Sequence, residues 1–425
     1  MKVLIITLGS RGDVQPYVAL GRGLKAAGHQ VTLCTSVSFA KFVTQNGLDY
    51  GHMNDDMIQL MRSDTGRGIM EGATNLFKII LIRAKMFRQI APMQRAMLKD
   101  SWETTQTVDP DLIIFHPKAY GAPHFAEKLG IHAIMGIPLP MLVPSAEFSC
   151  PGFPDWKLGR WYNRATHAIT LKFMDSTVNK FIRPWREEHR MPPLPPGHDF
   201  LHTAQGAPIP VMHCYSAQVG PSPSDWPETS VATGYWFLDQ PDAWRPPPKL
   251  MKFIDAGSPP VYVGFGSLSG RDPRRITRIV LEAFARTGMR GILASGWGGL
   301  QPEDLPETLF KIDEAPHDWL FPRMSAVVHH GGAGTTAAGL RYGKPSIICP
   351  FFGDQPFWAV RVHALGAGPK PIPQKKLTAE KLAKALTEAT QDAVIRRNAE
   401  ALGEKIRAED GIGNAIAFIE KFGSC

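Results

Sequence analysis

Near its amino terminus the chain carries the run Val3-Leu-Ile-Ile-Thr-Leu8, which is apolar, rich in β-branched residues and followed directly by Gly9. Such a run predicts a strand buried on both faces, as in a parallel sheet. A helical pattern follows from Pro16 and ends near Gly28, and a second strand is predicted at Val31-Thr-Leu-Cys-Thr35. These elements together form a βαβ unit.

The same order of elements recurs in the second half of the chain. A strand is predicted at Val261-Tyr-Val-Gly-Phe265, a helix from about Pro273 to Thr287, and a further strand at Gly291-Ile-Leu-Ala294. The first two strands begin 28 residues apart in one half (3 to 31) and 30 apart in the other (261 to 291). The chain is therefore predicted to be an α/β protein with two doubly wound domains.

A proline-rich stretch, Asp239-Gln-Pro-Asp-Ala-Trp-Arg-Pro-Pro-Pro-Lys249, separates the two halves. Three consecutive prolines cannot continue a helix or a central strand, so a linker is predicted over residues 239–250. The domains would then comprise residues 1–238 and 251–425, and the second would end in a tail of helices.

Charge and composition narrow the classes of partner. The 425 residues carry a formal net charge of +8 at pH 7, which allows nucleic acid, an anionic membrane or a phosphorylated small molecule as an acidic partner. Nucleic acid is disfavoured because the basic residues are spread out and no known binding motif occurs. Neither strand-end loop reads G-x-G-x-x-G, which disfavours a dinucleotide oxidoreductase.

The cysteines and the apolar runs bear on the compartment. The five cysteines are far apart and form no C-x-x-C pair, which argues against a disulfide framework or a zinc site and suits a reducing compartment. No apolar run reaches the roughly 18 residues of a spanning helix, and the run Val3–Leu8 is too short for a signal peptide. We therefore expect a cytoplasmic protein that does not span a membrane.

Residues 72–99 contain basic residues but no acidic ones. In a helix, most of the basic side chains would share one face and the apolar side chains the other. Such a helix can lie on an anionic membrane; the alternative is a packing helix with a solvated basic face, so peripheral membrane contact stays open. The basic residues are Lys78, Arg83, Lys85, Arg88, Arg95 and Lys99.

The strongest local pattern is His329-His-Gly-Gly-Ala-Gly-Thr-Thr-Ala-Ala-Gly-Leu340, which follows a strand-like run and opens a helix. Its glycines let the backbone approach a ligand, and helix-start amides favour an anion, so phosphate is the natural guest. The hydroxyls of Thr335 and Thr336 and a ring N–H of His330 are further donors. The alternative is a tight glycine turn with core histidines whose hydrogen bonds are satisfied.

Two further strand ends carry acidic residues. Asp13, in Leu8-Gly-Ser-Arg-Gly-Asp13-Val-Gln-Pro16, lies where open α/β sheets place their active crevice, and it suits either a helix N-cap or a general base. Asp354 and Gln355, in Pro350-Phe-Phe-Gly-Asp354-Gln355-Pro-Phe-Trp358, follow another predicted strand. A carboxylate beside an amide suits a polyhydroxylated ligand, although a plain polar loop is the alternative.

Together these motifs resemble those of the GT-B glycosyltransferases that use UDP-sugars, above all the sterol glucosyltransferases. The likeness covers nearly the whole chain and includes His317-Asp-Trp-Leu-Phe-Pro-Arg323. It implies two Rossmann-like domains facing across a cleft, the first binding the acceptor and the second the donor, with a helical tail. The implied reaction is inverting transfer of a hexose, from UDP-glucose, to a sterol or similar lipophilic alcohol, without cofactor or metal.

The resemblance also assigns roles to single residues. Asp13 matches the general base, and Asp354 and Gln355 match the pair that holds the sugar hydroxyls. Plant relatives contact base and ribose through a tryptophan and a glutamate that this chain lacks, so these contacts are expected near Pro316. The implied donor-binding residues are Ser10, Arg11, Gly12, Ser267, Pro316, His317, Trp319, His330, Gly332, Ala333, Gly334, Thr335, Thr336, Asp354 and Gln355.

Several alternatives remain at this point. Within the same chemistry, the acceptor could be a triterpenoid, hopanoid, polyketide or rhamnolipid-type molecule, and the donor could be a TDP-sugar. Outside it, the same architecture could serve a sugar-nucleotide epimerase or a non-catalytic nucleotide-sugar-binding module.

Overall fold

The computed structural model of the protein describes residues 1–62, 76–239, 244–266, 272–294 and 305–423, with side chains of the helix that begins at Leu76 described from residue 90 onward. These residues form two compact units. The first contains the chain up to Leu238 together with the residues from Asp410 onward, and the second contains the chain from Asp239 to Glu409.

The first unit is built on a parallel sheet in the order β3-β2-β1-β4-β5-β6-β7. Its strands are β1 (Lys2–Ile6), β2 (Gln30–Ser36), β3 (Asp49–Met53), β4 (Leu112–Phe115), β5 (His132–Ile137), β6 (Val211–His213) and β7 (Ser230–Ala232). Its helices are α1 (Arg11–Ala26), α2 (Ala40–Gln45), α3 (Asp56–Arg62), α4 (Leu76–Val108), α5 (Ala122–Leu129) and α6 (Arg160–Glu188).

Strand β1 is apolar from Val3 to Ile6 because both of its faces are buried. Leu4 and Ile6 lie in the hydrophobic cluster on one face of the sheet, whereas Val3 and Ile5 lie in the cluster on the other face. Both sets are fully buried. The order of the strands reverses at β1, whose two neighbours are β2 and β4, and ligands of open α/β sheets bind beside such a point.

Helix α1 begins at Arg11, five residues before the predicted start at Pro16. Ser10 is its N-cap residue and Asp13 its third residue, so the prediction of Asp13 as N-cap is wrong. The physical reason is that serine is itself a preferred cap, and an acidic residue three positions later accepts the backbone N–H of the cap. The Asp13 carboxylate does so at 2.7 Å from the Ser10 nitrogen.

The second unit is built on a parallel sheet in the order β10-β9-β8-β11-β12. Its strands are β8 (Val261–Gly264), β9 (Gly291–Ala294), β10 (Leu309–Ile312), β11 (Ala326–His329) and β12 (Ser346–Ile348). Its helices are α7 (Pro248–Asp255), α8 (Pro273–Thr287), α9 (His317–Leu320), α10 (Ala333–Arg341), α11 (Gln355–Ala364), α12 (Ala379–Gln391) and α13 (Ala393–Arg407). Two doubly wound units are thus confirmed, and α8 and β9 have the predicted bounds.

The last helix, α14 (Gly411–Gly423), belongs to the first unit, whereas the sequence analysis assigned it to the second domain. Its apolar residues Ala415, Phe418 and Ile419 are buried in the cluster beneath β1. Gly23 of α1 permits the contact, because a Cβ there would lie 2.3 Å from a methyl carbon of Ile412.

The predicted linker, residues 239–250, is also shorter than expected. Helix α7 already begins at Pro248, because proline is favourable in the first turn of a helix, where its missing N–H costs nothing. Residues 240–243 of the stretch lie outside the described ranges.

Helix α4 extends past the predicted basic segment, to Val108. In its described half, Met97, Leu98 and Trp102 are buried in the core of the first unit, whereas Arg95 and Lys99 are exposed. This half is a packing helix with a solvated basic face. Residues 72–75 and the side chains of Lys78, Arg83, Lys85 and Arg88 lie outside the described part.

Within the ranges that the structure describes, no helix combines the length and the apolar character needed to cross a bilayer. The described cysteines are all free and buried, namely Cys34, Cys150, Cys214 and Cys349.

Candidate active site

The first cluster of polar side chains lies at the carboxyl ends of β1 and β4. Asp13 stands in the first turn of α1, and the loop after β4 carries His116 and Lys118. The Lys118 ammonium lies 2.7 Å from Asp13 Oδ1, and His116 Nε2 lies 3.5 Å from the same oxygen. Asp13 Oδ2 accepts the backbone N–H of Ser10 at 2.7 Å and its hydroxyl at 3.0 Å.

Hydrogen bonding sets the tautomer of His116. Its Nδ1 lies 3.1 Å from the backbone nitrogen of Lys118 and accepts that N–H, so the ring proton is on Nε2, which faces Asp13. Burial, reinforced by the charge of Lys118, lowers the pKa of His116 to about 3. His116 is therefore neutral, and its Nε2–H faces the Asp13 carboxylate at 3.5 Å.

Asp13 is held as an anion. Burial is the largest single influence on the pKa of Asp13 and raises it, but the charge of Lys118, the nearby His116 and the hydrogen bonds from Lys118 and Ser10 together outweigh it, so that the pKa lies below its usual value. The carboxylate is ionised at neutral pH and, with its acceptor sites occupied, is a weak base.

His116 and Lys118 are functional candidates that sequence reasoning missed. A usable signal was present, because both follow a wholly apolar strand by one to three residues. Of the predicted donor contacts in this unit, Ser10 is engaged by Asp13, while Arg11 donates from Nε to Gln15 Oε1 at 3.1 Å and lies over the ring of Phe42. Gly12 stands between them in the first turn of α1.

The second cluster lies in the second unit, where β11 passes into α10. Gly331 has a φ of 94°, which favours glycine, and Gly332 is the N-cap residue of α10. Because Gly332 has no side chain, it cannot cap the first amides of α10, from Ala333 to Thr335. A helix start of this kind has free N–H groups and the positive end of the helix dipole, and so attracts an anion.

Buried polar atoms beside this helix start also lack partners. His329 Nε2, His330 Nδ1 and Thr336 Oγ1 are buried and have no hydrogen-bond partner among the residues that the structure describes. Buried polar atoms are nearly always hydrogen-bonded, so these atoms call for a ligand or water. His329 is partly satisfied, since its Nδ1 accepts the backbone N–H of Gly331 at 3.0 Å.

His330 is neutral and closely surrounded by glycine. Burial lowers its pKa to about 4, so at neutral pH it can offer a ring N–H but no charge. A Cβ at Gly266 would lie 3.0 Å from His330 Cε1, and one at Gly332 would lie 2.6 Å from His330 Nε2. Both positions therefore need glycine if the ring is to stay where it is. Ser267, the next predicted contact, lies outside the described ranges.

Asp354 and Gln355 lie beside this loop. Asp354 directly precedes α11, and a Cβ on Gly331 would lie 3.2 Å from the carbonyl oxygen of Gln355. Gln355 is buried, and its Oε1 accepts the backbone N–H of Phe351 at 2.8 Å and of Phe352 at 3.3 Å. The side-chain oxygen of Gln355 thus fixes its own loop, which leaves its NH₂ group to offer a ligand.

The predicted base-binding loop forms the short helix α9, which packs against α10. Pro316 is its N-cap residue. The His317 ring stacks on Phe321 with centroids 4.2 Å apart, and Trp319 packs against Trp244 at 4.9 Å. The structure therefore brings the predicted donor residues of the second unit together on α9, α10 and α11.

Potential metal ligands form no cluster among the described residues. In the described part of the chain, no group of three or more His, Cys, Asp or Glu residues could hold a metal ion. The Asp-x-Asp sequence Asp109-Pro-Asp111 lies at the amino end of β4, the opposite edge of the sheet from Asp13. Asp111 there accepts the backbone N–H of Lys2 at 2.7 Å.

Two protein-family models match the chain. The model of the glycosyltransferase family 28 N-terminal domain matches residues 3–143. The model of the erythromycin biosynthesis protein CIII-like C-terminal domain matches residues 299–412.

The chain is also similar to proteins named sterol 3-beta-glucosyltransferase. It is 35% identical to UGT80B1 of Arabidopsis thaliana over 98% of its own length and 67% of that protein. UGT80A2 of the same plant is 36% identical, with 98% and 64% covered, and the protein of Emericella nidulans is 36% identical, with 99% and 30% covered. The chain thus spans about two thirds of the plant relatives and less than a third of the fungal one.

Solved structures share the architecture. The kitacinnamycin glycotransferase matches with a TM-score of 0.75 at 21% identity, covering 100% of this chain and 99% of that one. The calicheamicin glycosyltransferase CalG4 matches with a TM-score of 0.69 at 16% identity, covering 99% and 98%. Likeness at these identities concerns the fold, which is GT-B as the sequence motifs implied.

Proposed function

Because the chain belongs to the sterol 3-beta-glucosyltransferase family of GT-B glycosyltransferases, we propose that it transfers a hexose from a nucleotide sugar to the hydroxyl of a sterol or similar lipophilic alcohol. The proposed donor is UDP-glucose and the proposed setting is the cytoplasm. The observation that carries the proposal is the start of α10, where helix amides that Gly332 cannot cap adjoin Thr336 Oγ1 and His330 Nδ1, two buried atoms without a hydrogen-bond partner among the described residues.

The proposed donor site uses the anion-binding chemistry of that helix start. The diphosphate would accept hydrogen bonds from the amides of residues 332–335 and from the Thr336 hydroxyl, whereas the Thr336 amide already donates to the Gly332 carbonyl at 3.0 Å. A neutral His330 would donate its ring N–H without the cost of burying a charge. Asp354 and the NH₂ group of Gln355 would hold the sugar hydroxyls, and the surface of α9 would contact the nucleoside.

Leaving-group stabilisation follows from the same groups. As the bond between the anomeric carbon and the diphosphate oxygen breaks, negative charge grows on the departing nucleotide. Preorganised N–H groups and a helix dipole aimed at that charge lower the barrier, because they need no reorganisation during the reaction. We propose that they act in place of a metal ion, so that no cofactor or metal is required.

Asp13 is the proposed general base. The acceptor oxygen would attack the anomeric carbon opposite the leaving group, which inverts the configuration, while its proton passes to Asp13. A carboxylate with a lowered pKa holds a proton poorly, so proton transfer must accompany the attack rather than precede it. Lys118 is half exposed and so has room to yield one lone pair of Oδ1 to the acceptor hydroxyl.

The decisive experiment is to incubate the full chain with UDP-glucose and, separately, TDP-glucose, together with sterols, triterpenoids and aromatic aglycones. Hexosylated sterol detected by mass supports the proposal. If only another acceptor gave product, the proposed acceptor class would change, but the proposed glycosyl transfer would still hold. No hexosylated product from any pair would overturn the transferase proposal.

Two further readouts separate the remaining alternatives. Sugar epimerisation without an acceptor would indicate an epimerase, and donor binding without turnover would indicate a binding module. The TDP arm is included because a solved structure of the same fold, VinC, is titled as a complex with dTDP.

A further inference from the structure

An unusual share of exposed apolar side chains lies in one region of the first unit. Ten large hydrophobic residues are exposed in the described ranges, and five of them fall within residues 156–173. Trp161 is 68% exposed and Trp156 is 63% exposed. Single exposed apolar residues are common, but a cluster that contains two tryptophans marks an interaction surface.

The geometry of α6 places these side chains on one face. At 100° per residue, Ile169 and Phe173 lie within about 120° of Trp161 around the helix axis. The opposite face of the same helix packs into the unit, where His167 and Leu171 are buried. Trp156, in the loop just before α6, stacks on Tyr162 with ring centroids 5.7 Å apart. We call the exposed residues of this stretch the aromatic face: Trp156, Trp161, Ile169 and Phe173.

Charge identifies the partner that this face fits. Residues 156–173 contain no acidic residue, and their four basic residues are all exposed. They are Lys157, Arg160, Arg164 and Lys172. Asp155 pairs with Lys157 at the edge of the surface, and Asp225 lies 3.9 Å from Arg164. Tryptophan rings intermixed with lysine and arginine suit the boundary between acyl chains and anionic headgroups, where each ring has one apolar and one wet side.

We propose that the aromatic face docks the protein on an anionic lipid bilayer. The apolar side chains enter the headgroup region, and the basic side chains meet the lipid phosphates. The aromatic face consists of other residues than the basic segment 72–99, and its docking needs neither donor nor acceptor. The membrane proposal can therefore fail while the transferase proposal holds, and the transferase proposal can fail while the membrane proposal holds.

The test is co-sedimentation of the full chain with phosphatidylcholine vesicles, with and without phosphatidylglycerol, at low and high salt. We expect binding only to the anionic vesicles, weakened by salt because the headgroup attraction is screened. The double variant Trp161→Ser/Phe173→Ser should lose at least about tenfold in vesicle partitioning. The matched control is Val360→Ser/Val394→Ser, which changes two exposed apolar residues of the second unit and should bind like the unaltered chain.

Three results would overturn the proposal. The unaltered chain could fail to pellet with anionic vesicles, or the aromatic-face variant could pellet equally well. Neutralising Lys85 and Arg88 of α4 could abolish binding that the aromatic-face variant retains. Thermal unfolding of each variant confirms its fold, and light scattering without vesicles reveals whether the face instead joins two copies of the chain.

Discussion

Lys118 Nζ lies 2.7 Å from Asp13 Oδ1, although the two residues are 105 positions apart in the chain. The adjacency of β1 and β4 brings them together, because their carboxyl ends meet at the same edge of the sheet. The proposed base is therefore an ion-paired carboxylate rather than a free one, and its partner controls both its charge and its access to a proton.

The first prediction concerns the base itself. Asp13→Asn keeps the shape of the side chain but cannot accept a proton at neutral pH. Turnover should fall by about 10²–10⁴-fold, while UDP binding measured by calorimetry should stay near that of the unaltered chain, because the proposed diphosphate-binding residues at the start of α10 lie in the second unit. Near-normal turnover of this variant would refute the assignment of Asp13.

The second prediction concerns the pH profile. Lys118 lowers the pKa of Asp13, so Lys118→Met should raise that pKa and move the acidic limb of the rate profile to higher pH. Lys118→Arg keeps the charge and should leave the limb close to its original position. An acidic limb that stays in place in Lys118→Met would show that the ion pair does not govern the base.

The third prediction separates ligand binding from stability. Thr336→Val replaces a buried hydroxyl that has no partner among the described residues, so it should leave the free energy of unfolding unchanged or slightly higher. The same change should weaken UDP binding by about tenfold, because a hydrogen bond worth roughly 1–1.5 kcal/mol is lost.

Thr277→Val is the matched control in the same unit. Its hydroxyl donates to the Pro273 carbonyl at 3.0 Å, so this variant should lose stability and keep its affinity for UDP. If both variants bind UDP like the unaltered chain, the Thr336 hydroxyl does not contact the donor.

The fourth prediction concerns the ion pair that joins α6 to α5. The buried Arg186 donates two hydrogen bonds to Glu127, at 2.6 and 2.9 Å. Arg186→Met leaves the partly buried Glu127 carboxylate without its cation and should cost about 3 kcal/mol in the free energy of unfolding. The double variant Arg186→Met/Glu127→Met should recover much of this loss. Equal losses in the two variants would indicate a packing defect instead.

The same pair predicts a dependence of stability on pH. Burial raises the pKa of Glu127, but hydrogen bonds and charge from Arg186 and His124 outweigh it, so the pKa falls from 4.5 to about 2. The folded state then binds fewer protons than the unfolded one above pH 2. The contribution of Glu127 to the free energy of unfolding is fully present above about pH 4.5 and is lost as the pH falls toward 2. The double variant lacks this carboxylate, so in acid unfolding its stability should fall less between pH 4.5 and 2 than that of the unaltered chain.

The sequence predicts local elements well and long-range partners poorly. The bounds of α8 and β9 follow from periodicity and terminal residues within one segment, which is local information. The pairing of Lys118 with Asp13 depends on which strands become neighbours. The place of α14 depends on a match between its apolar face and a surface formed by residues near the opposite end of the chain.

The candidate site shows the same division. The glycines around His330 indicate a close approach of the backbone, and the motif at residues 329–336 predicts an anion site. That Gln355 Oε1 is occupied by its own loop could not be inferred, because either end of an amide can serve a ligand or the backbone. Only the contacts with Phe351 and Phe352 decide between them.

The fifth prediction concerns the last helix. Removing residues 410–425 uncovers the apolar surface beneath β1, where Phe418 and Ile419 are packed. The first unit should then unfold at lower temperature and bind a hydrophobic dye, whereas UDP should still bind to the second unit. An unchanged unfolding temperature would show that α14 contributes little.

Because α14 belongs to the first unit, it also determines when that unit can be completed during synthesis on the ribosome. The first unit is not one continuous stretch of chain, because α14 is translated only after the whole second unit. Its sheet emerges early but lacks the cover of α14 until the whole second unit has been made, at about 5–20 residues per second. The first unit thus begins to form before the second unit and is completed after it, and a nascent chain stalled between Leu238 and Asp410 exposes apolar surface to chaperones.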